Sequence, residues 1–375
     1  MKFIISTQEL NYLISKVQNV VPARPTIPLL GNVLLEAKGG MITLTATDLL
    51  VGIRCTTEAK IEEEGATTLP AKKLASLTRE LTAVNLEVST DDHDVTEIVA
   101  GTSRFKLNGM DKKDFSSLPD LSDAERFKID QTELRDMLYR TAFAVSREDT
   151  RYVLTGVGLR IQGKTATFTG TDGKRLARAH TTLDIDPEFS QSYIIPPKAV
   201  DEFMKSLTEE GEATVFLSPD KIAIDTGSTL IVTKLLQGEY PDVSRVIPEK
   251  SEVILSLHRE ELMTLLRQVS LFVPDTHQSV RFSFLKGELK LSANSMDVGE
   301  GKVSMPVNYH GSPLEIAFNP SFFLDILRHS KEETITMGLT DPYNPGVIID
   351  RPLSEEEDAG SSPLFVIMPM RLSEE

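Results

Sequence analysis

The 375 residues carry 56 acidic against 40 basic side chains, a formal net charge of −16. That balance argues against broad adhesion to nucleic acid, which needs Lys and Arg to neutralise phosphates, although an average says nothing of where the charge sits. The length suits two or three domains. The single cysteine, Cys55, excludes an internal disulfide framework and reads as a small buried apolar residue. No stretch approaches the roughly 18 apolar residues of a membrane span, and the opening Met1 to Ser6 is too short an apolar run for a signal peptide. A soluble, cytoplasmic chain without a membrane partner is expected.

In chain order, a short strand, Phe3 to Ser6, leads through a polar cap into a helix over 9–19, where Leu10, Leu13, Ile14 and Val17 repeat at helical spacing. A hairpin turning on Gly39-Gly40 follows and ends in Thr45-Ala46-Thr47-Asp48. Thr67-Thr68-Leu69-Pro70 then runs into a second helix over 72–82, with proline where a helix-start N–H would have no partner. The series then begins again. Phe127 to Asp130 leads to Glu133-Leu134 and a helix over 131–145, with Met137, Leu138 and a weak match at Thr141. Its hairpin turns on Gly163-Lys164 and ends in Thr169-Gly170-Thr171-Asp172, and Ile194 to Pro197 opens a helix over 197–208. A third round starts at Leu255 to Leu257, with a helix over 258–270, a turn at Lys286-Gly287, a degenerate Ser292-Ala293-Asn294-Ser295, and Asn319-Pro320 before a helix over 320–331. Each round spans about 125 residues, so the chain reads as three diverged copies of one unit, each of two helices and antiparallel strands. The boundaries expected are 1–120, 126–248 and 253–375, joined by the short polar stretches 118–125 and 248–252. The acidic loop 354–358 reads as solvated.

Gly158 to Thr165 matches the phosphate-loop pattern GxxxxGKT letter for letter. Such a loop must follow a strand and open a helix. Here Val157, Leu159 and Ile161 alternate with polar or small residues and a second strand pattern follows, so Gly163-Lys164 is expected to be a hairpin turn. The six histidines show no metal spacing. Asp91-Asp92-His93-Asp94 lies between two strand patterns and reads as a solvated turn. A nucleotide hydrolase built on Lys164 remains the alternative from another class, and a non-replicative repeat scaffold a weaker third.

With these landmarks the chain resembles the bacterial sliding clamps, the beta subunits of DNA polymerase III. The likeness spans the chain and rests on Arg24 to Asn32, Thr171 to Leu176, Tyr240-Pro241-Asp242 and Met368 to Leu372. It implies an α+β clamp fold of three similar domains, and a head-to-tail homodimer closing a six-domain ring around double-stranded DNA. It implies a processivity subunit without catalysis, cofactor or metal. Twelve lining helices spaced about 9 Å apart give a circle roughly 34 Å across at their axes, wide enough for a duplex. The helix segments above sum to a charge of about +3, which places the acid on the wall.

The resemblance also implies a pocket for short extended peptides of the polymerase alpha subunit, the clamp loader, other polymerases and mismatch-repair or ligase proteins. The matching positions are Arg151, Leu154, Thr171, Gly173, Lys174, Arg175, Leu176, Pro241, Arg245, Val246, Val366, Ile367, Met368, Pro369, Met370, Arg371 and Leu372. Methionine and aliphatic chains make an adaptable apolar surface, and arginines can orient a peptide. Lys174 stands where the family often has His, and Ser373-Glu374-Glu375 extends past the usual last Leu. DNA contacts carry over to Arg24, Lys72 or Lys73, Tyr152 and Lys198. At the ring joint, Phe105, Leu271 and Phe272 carry over as apolar contacts. Lys73 and Arg104 are expected to face Asp297 and Glu300, with Lys302 standing where an acid is expected.

Overall fold

In the computed structural model, which describes residues 1–274, 278–352 and 363–371, the chain runs through one series of elements three times. The first is β1 (Lys2–Ser6), α1 (Thr7–Val17), β2 (Asn32–Lys38), β3 (Met41–Thr47), β4 (Val51–Glu58), β5 (Lys60–Glu63), β6 (Gly65–Pro70), α2 (Ala71–Glu80), β7 (Asn85–Thr90), β8 (Val95–Ala100) and β9 (Ser103–Asn108). The second is β10 (Glu125–Asp130), α3 (Gln131–Ala142), β11 (Val157–Gln162), β12 (Thr165–Thr171), β13 (Arg175–Thr182), β14 (Ser190–Ile195), α4 (Pro197–Ser206), β15 (Glu212–Leu217), β16 (Lys221–Asp225) and β17 (Thr229–Lys234). The third is β18 (Val253–His258), α5 (Arg259–Ser270), β19 (Val280–Leu285), β20 (Glu288–Ser295), β21 (Gly299–Pro306), β22 (Leu314–Phe318), α6 (Pro320–His329), β23 (Thr334–Leu339), β24 (Gly346–Ile349) and β25 (Leu364–Ile367). Among the described residues, only β5 has no counterpart in the other two rounds. The acidic loop 354–358, Leu372 and the Ser373–Glu375 extension lie outside the described residues.

The first helix of each round starts on a capping side chain, which stabilises a helix by about 1 kcal/mol. Ser6 Oγ accepts from Glu9 N at 3.0 Å, Asp130 Oδ1 from Thr132 N at 2.8 Å, and His258 Nδ1 from Glu261 N at 3.3 Å. Thr141, the weak match to the helical pattern, is fully buried, and its hydroxyl is satisfied by Met137 O at 2.7 Å.

The chain forms two compact units, and the middle round is divided between them: Met1–Leu134 with Lys198–Leu235, and Arg135–Pro197 with Leu236–Glu375. The first unit holds an eight-stranded sheet in the order β10-β15-β16-β17-β4-β3-β2-β6 and a five-stranded sheet, β5-β1-β7-β8-β9. The second holds β14-β11-β12-β13-β25-β24-β23-β18 and a four-stranded sheet, β21-β20-β19-β22. In both eight-stranded sheets two consecutive rounds are sewn together by one antiparallel pair, Ile231 opposite Ile53 in the first and Phe365 opposite Ala177 in the second. The core of the second unit is built on Phe282, Phe318 and Phe323, whose ring centroids lie 5.1–5.7 Å apart. Aromatic contacts of this kind add to the burial of the rings themselves.

Three hairpins turn where the glycines stand: Lys38 pairs Met41, Gln162 pairs Thr165, and Leu285 pairs Glu288. Gly163-Lys164 is therefore a β-turn between two strands, and no helix follows it. Asp91 closes the β7–β8 turn, its Oδ1 accepting from His93 N at 2.9 Å and Val95 N at 3.0 Å. Two expectations need correction. The stretch 118–125 is not a free polar linker, because Leu118 and Leu121 pack on Ala223, Leu230 and Val232. The helix charge falls to +2, because Lys331 lies past the end of α6.

Candidate functional site

The Thr-x-Thr-Asp ending of the second hairpin is a knot of hydrogen bonds. Asp172 Oδ1 accepts from the N–H groups of Lys174 and Arg175 at 2.9 and 3.0 Å. Thr171 Oγ1 donates to Arg175 O at 2.7 Å and accepts from Gly173 N at 3.1 Å. Gly173 sits at φ 83°, where a side chain is strained. A Cβ there would also lie 2.4 Å from Arg151 Nη1, which itself donates to Asp172 O at 2.8 Å. The knot fixes the start of β13 and thereby the direction of Leu176.

Alternation along β13 and β25 sorts the residues expected at the pocket. Leu176 pairs Val366, and both face away from the helices, forming an apolar cluster with Val347 and Leu364 against which Val243, Ile247 and Ile349 pack. Ile367 points the other way and is a fully buried core residue. Arg175 also belongs to the interior. Its Nη1 donates to Asp325 at 2.7 Å, its Nη2 to Phe143 O at 3.0 Å and its Nε to Asp172 at 3.3 Å, while the rings of Phe143 and Phe322 lie 5.3 and 4.6 Å from its guanidinium carbon. With three of its five N–H donors committed inside the chain, this guanidinium braces the site.

After β25 the chain continues along the site. Met368 N donates to Lys174 O at 2.9 Å, and Met370 N to Ala317 O at 2.7 Å. This leaves Met368 exposed, Pro369 and Met370 half-buried and Arg371 exposed, beside exposed Lys174 and Gly173. Pro241, Arg245 and Val246 are exposed on the preceding loop, and Leu154 is half-buried. Sequence reasoning missed Val347, Ile349, Val243 and Ile247. Their only signal was alternation in a four-residue strand and a loop, too short to show a period.

The cationic residues expected on DNA are held differently from one another. Arg24 and Lys73 are exposed, and Tyr152 is 55% exposed. Lys72 Nζ donates to Ala23 O at 2.8 Å, tying α2 to the loop that carries Arg24. Lys198 is already paired, its Nζ 2.5 Å from Asp48 Oδ2 and 3.1 Å from Val20 O. Burial would push the Asp48 carboxyl up, but Lys198 and the Val51 and Leu50 N–H groups outweigh it and hold the carboxyl below its ordinary value.

At the residues expected in the joint, β9 and β21 are the end strands of their sheets. On β9, Phe105 is half-buried between exposed Arg104 and Lys106, both of which lean on Glu97. On β21, Gly301 is covered by Phe272, since a Cβ there would lie 2.4 Å from the ring. Leu271 is 74% exposed, and Lys302 Nζ pairs Glu300 in its own chain at 2.5 Å. Lys73 is exposed on α2, and Asp297 is exposed at the tip between β20 and β21.

Comparison with known proteins matches this chain along almost all its length. Family models for the DNA polymerase III beta subunit cover its N-terminal domain at residues 1–119, its central domain at 128–242 and its C-terminal domain at 244–371. The beta sliding clamp of Chlamydia pneumoniae is 53% identical over the whole of both chains. That of Pseudomonas aeruginosa is 31% identical over 99% of this chain and all of its own. Among solved structures, the Pseudomonas aeruginosa DnaN sliding clamp bound to griselimycin superposes with a TM-score of 0.93 at 30% identity, covering 99% of this chain and all of that one. The Bacillus subtilis sliding clamp superposes with a TM-score of 0.93 at 25% identity over the whole of both. With its three similar domains of paired helices on antiparallel sheets, the chain belongs to the family of beta sliding clamps, the non-catalytic processivity subunits of DNA polymerase III.

Proposed function

We propose that two copies of this chain close head to tail into a six-domain ring around double-stranded DNA, with domains at 1–120, 126–248 and 253–375. The observation that carries the reading is the unfinished pair of sheets. In each complete eight-stranded sheet, the last strand of one round pairs with the fourth strand of the round before it. By position in their rounds, β9 and β21 are those two strands, and each ends its sheet. Phe105 sits opposite Ile98 as Ile231 sits opposite Ile224 and Phe365 opposite Ile348, and Gly301 pairs Ala293 as Ile53 pairs Ala46 and Ala177 pairs Gly170. The same register across two copies sets Phe105 of one against Gly301 and its Phe272 cover in the other. Edge strands left open invite such pairing.

This register brings Lys106 opposite Glu300 and Arg104 opposite Lys302. Arg104 then stands two residues from Glu300 on the face it was expected to meet, and its like-charge pair with Lys302 must be offset by Glu97 and Glu300. Lys73 and Asp297 would then lie at the margins of the joint, and Leu271 and Phe272 at its apolar centre. Size-exclusion chromatography with light scattering at micromolar concentration should give twice the 41.5 kDa chain mass; a stable monomer would sink the ring. Lys106→Glu should weaken the dimer, and Glu300→Lys added to it should restore it, by about 0.5–1 kcal/mol for an exposed pair. Rescue of Arg104→Glu instead would shift the register back.

The apolar patch of Leu176, Val366, Val347 and Met368, with Leu154, Pro241 and Val246, is proposed to dock short extended peptides of the polymerase alpha subunit, the clamp loader and repair proteins. Arg24, Lys72, Lys73 and Tyr152 are proposed to touch DNA, and Lys198 to do so only if Asp48 releases it. The protein is read as cytoplasmic; none of the described helices is long and apolar enough to cross a membrane.

A further inference from the structure

The outer face of β14-β11-β12-β13 is the floor of a cleft of about 870 Å³, walled by the loop 238–244. Tyr240 forms the wall, its ring against Gly158 and its hydroxyl donating to Thr169 O at 3.1 Å. Two arginines stand on the floor. Ala177 and Ala179 turn into the core, so Arg178 between them faces the cleft. Arg160 lies on the same face, opposite Thr167, and Thr169 opposite Arg178 is the next same-face residue along β12. Arg160 and Arg178 therefore stand two strands apart with a two-residue step between them, roughly 12 Å at their roots, a span that two long arginine side chains can close on one carboxylate.

Neither guanidinium donates to any side chain or carbonyl among the described residues. This sets them apart from Arg175 and Arg140, each of which holds two carboxylates. Arg178 is half-buried, and burial alone pushes its guanidinium below the ordinary arginine value, with no acid to oppose it. Of the acids on the rim, Asp242 accepts from the N–H and hydroxyl of Ser244 and feels the charges of Arg245 and Arg160 without a hydrogen bond to Arg160, and Glu239 is exposed. The first unit has the counterpart cleft, about 530 Å³, under the loop 116–121. There Arg54 takes the place of Arg178, but Glu36 stands where Arg160 does. The second unit thus carries a base where the first carries an acid.

We infer that this cleft is a second docking site, in which Arg160 and Arg178 together take an acidic side chain of an extended partner peptide. Charge complementarity favours a carboxylate, because the pair of planar donors matches its two oxygens. Continuity favours a peptide: Pro241, expected in the apolar pocket, also lines the cleft, so a chain crossing it passes from one site to the other. That last step rests on the apolar pocket being a peptide site; the charge argument does not.

The test uses the full-length protein and a fluorescein-labelled hexaglutamate peptide, read by anisotropy at low salt. Saturable binding at one peptide per chain is expected, weakened roughly tenfold or more by Arg178→Leu and by Arg160→Glu, as for loss of a charge-assisted pair. Arg160 is exposed, so its variant tests the site even if Arg178→Leu folds poorly. Leu176→Asp, which breaks the apolar pocket, should keep hexaglutamate bound. Absence of binding, equal binding by both arginine variants, loss of binding in Leu176→Asp, or displacement by millimolar inorganic phosphate would each overturn the proposal. Failure of the apolar pocket to bind its own peptides would leave the hexaglutamate result standing.

Discussion

Each unit carries the same hydrogen-bonded knot after its second hairpin strand, and the two knots open on different surfaces. In the first unit Asp48 Oδ1 accepts from Leu50 N and Val51 N, and Thr47 from Leu49 N, as Asp172 and Thr171 do in the second. Leu49 is even held at φ 74°, where the second unit uses Gly173. The difference lies three residues on. The first unit has Gly52 where the second has Leu176, and Leu118 fills the space, so that a Cβ on Gly52 would lie 2.3 Å from Leu118 Cδ2. The first socket is thus filled by a leucine from a distant loop, whereas the second carries its own leucine in an apolar cluster with Val366, Val347 and Leu364. A repeated backbone can therefore fill one position from outside and its copy from within.

The interiors differ as well, and here the largest effect is expected. In the second unit α3 is anchored by a buried ion cluster. Arg140 pairs Asp136 at 2.7 Å and Asp350 more closely still, and Asp350 also accepts from Lys331 N at 2.8 Å and Glu332 N at 3.1 Å. Lys331 Nζ lies 2.5 Å from the other oxygen of Asp136. In the first unit the same helical position is Lys16, which reaches the carbonyl of Lys205 at 3.1 Å and lies over the Tyr12 ring but holds no carboxylate among the described residues. Arg140→Ala leaves Asp350 buried without its cation and should destabilise the second unit by about 3–5 kcal/mol in urea unfolding. Lys16→Ala should cost under about 1 kcal/mol. Equal costs would mean that the two interiors are not distinguished by this cluster.

The sockets give the next effect. Leu118→Ala uncovers Ala223, Leu230 and Val232 and should cost about 1–2 kcal/mol, less than a fully enclosed leucine because Leu118 is only half-buried. Leu176→Gly copies the first unit's residue into the second and should reduce binding of a polymerase-derived peptide about tenfold or more, measured by calorimetry. Gly52→Leu with Leu118→Ala should give the first unit an open apolar socket and raise peptide stoichiometry above one per chain. Unchanged stoichiometry would show that the knot and one leucine do not suffice to make a site.

Much of this was legible in the sequence, for physical reasons that also mark where reading stopped. The capping residues Ser6, Asp130 and His258 and the hairpin glycines act locally, so their spacing alone located elements three times over. The phosphate-loop lookalike was resolved by alternation on both sides of Gly163-Lys164. What escaped depends on long-range pairing. The interior ion pair of Arg175 could not be read because its partner Asp325 is 150 residues away. Ile367 looked like pocket because a strand's facing is set by its neighbour's register and not by its own letters. Leu118 looked like linker because one leucine in a polar stretch has no period, and the division of the middle round between two units leaves no local mark at all.

The smallest expected effects are in pH, and they separate the units by window. In the second unit His329 is stacked on Phe143 at 4.1 Å between ring centroids, and its pKa is lowered by burial and by Arg175 and Arg328, against the opposing carbonyl and charge of Asp325. His180 is lowered likewise, by burial and by Arg178. A histidine whose folded pKa lies below its ordinary 6.5 resists protonation in the fold while the unfolded chain accepts it. Stability is then full above 6.5 and falls as pH drops from there to the folded value. Asp48, in the first unit, is also lowered, but from 3.8, so its contribution is intact above that pH and is lost as pH falls through the folded value. Hydrogen exchange on the full-length protein at pH 7.5, 5.5 and 3.5 should show the helices α5 and α6 losing protection in the first step. The loop at Asp48 should hold until the second. His329→Gln should flatten the first step, because a neutral amide cannot take up the proton. Protection lost first around Asp48 would reverse the assignment of the two windows.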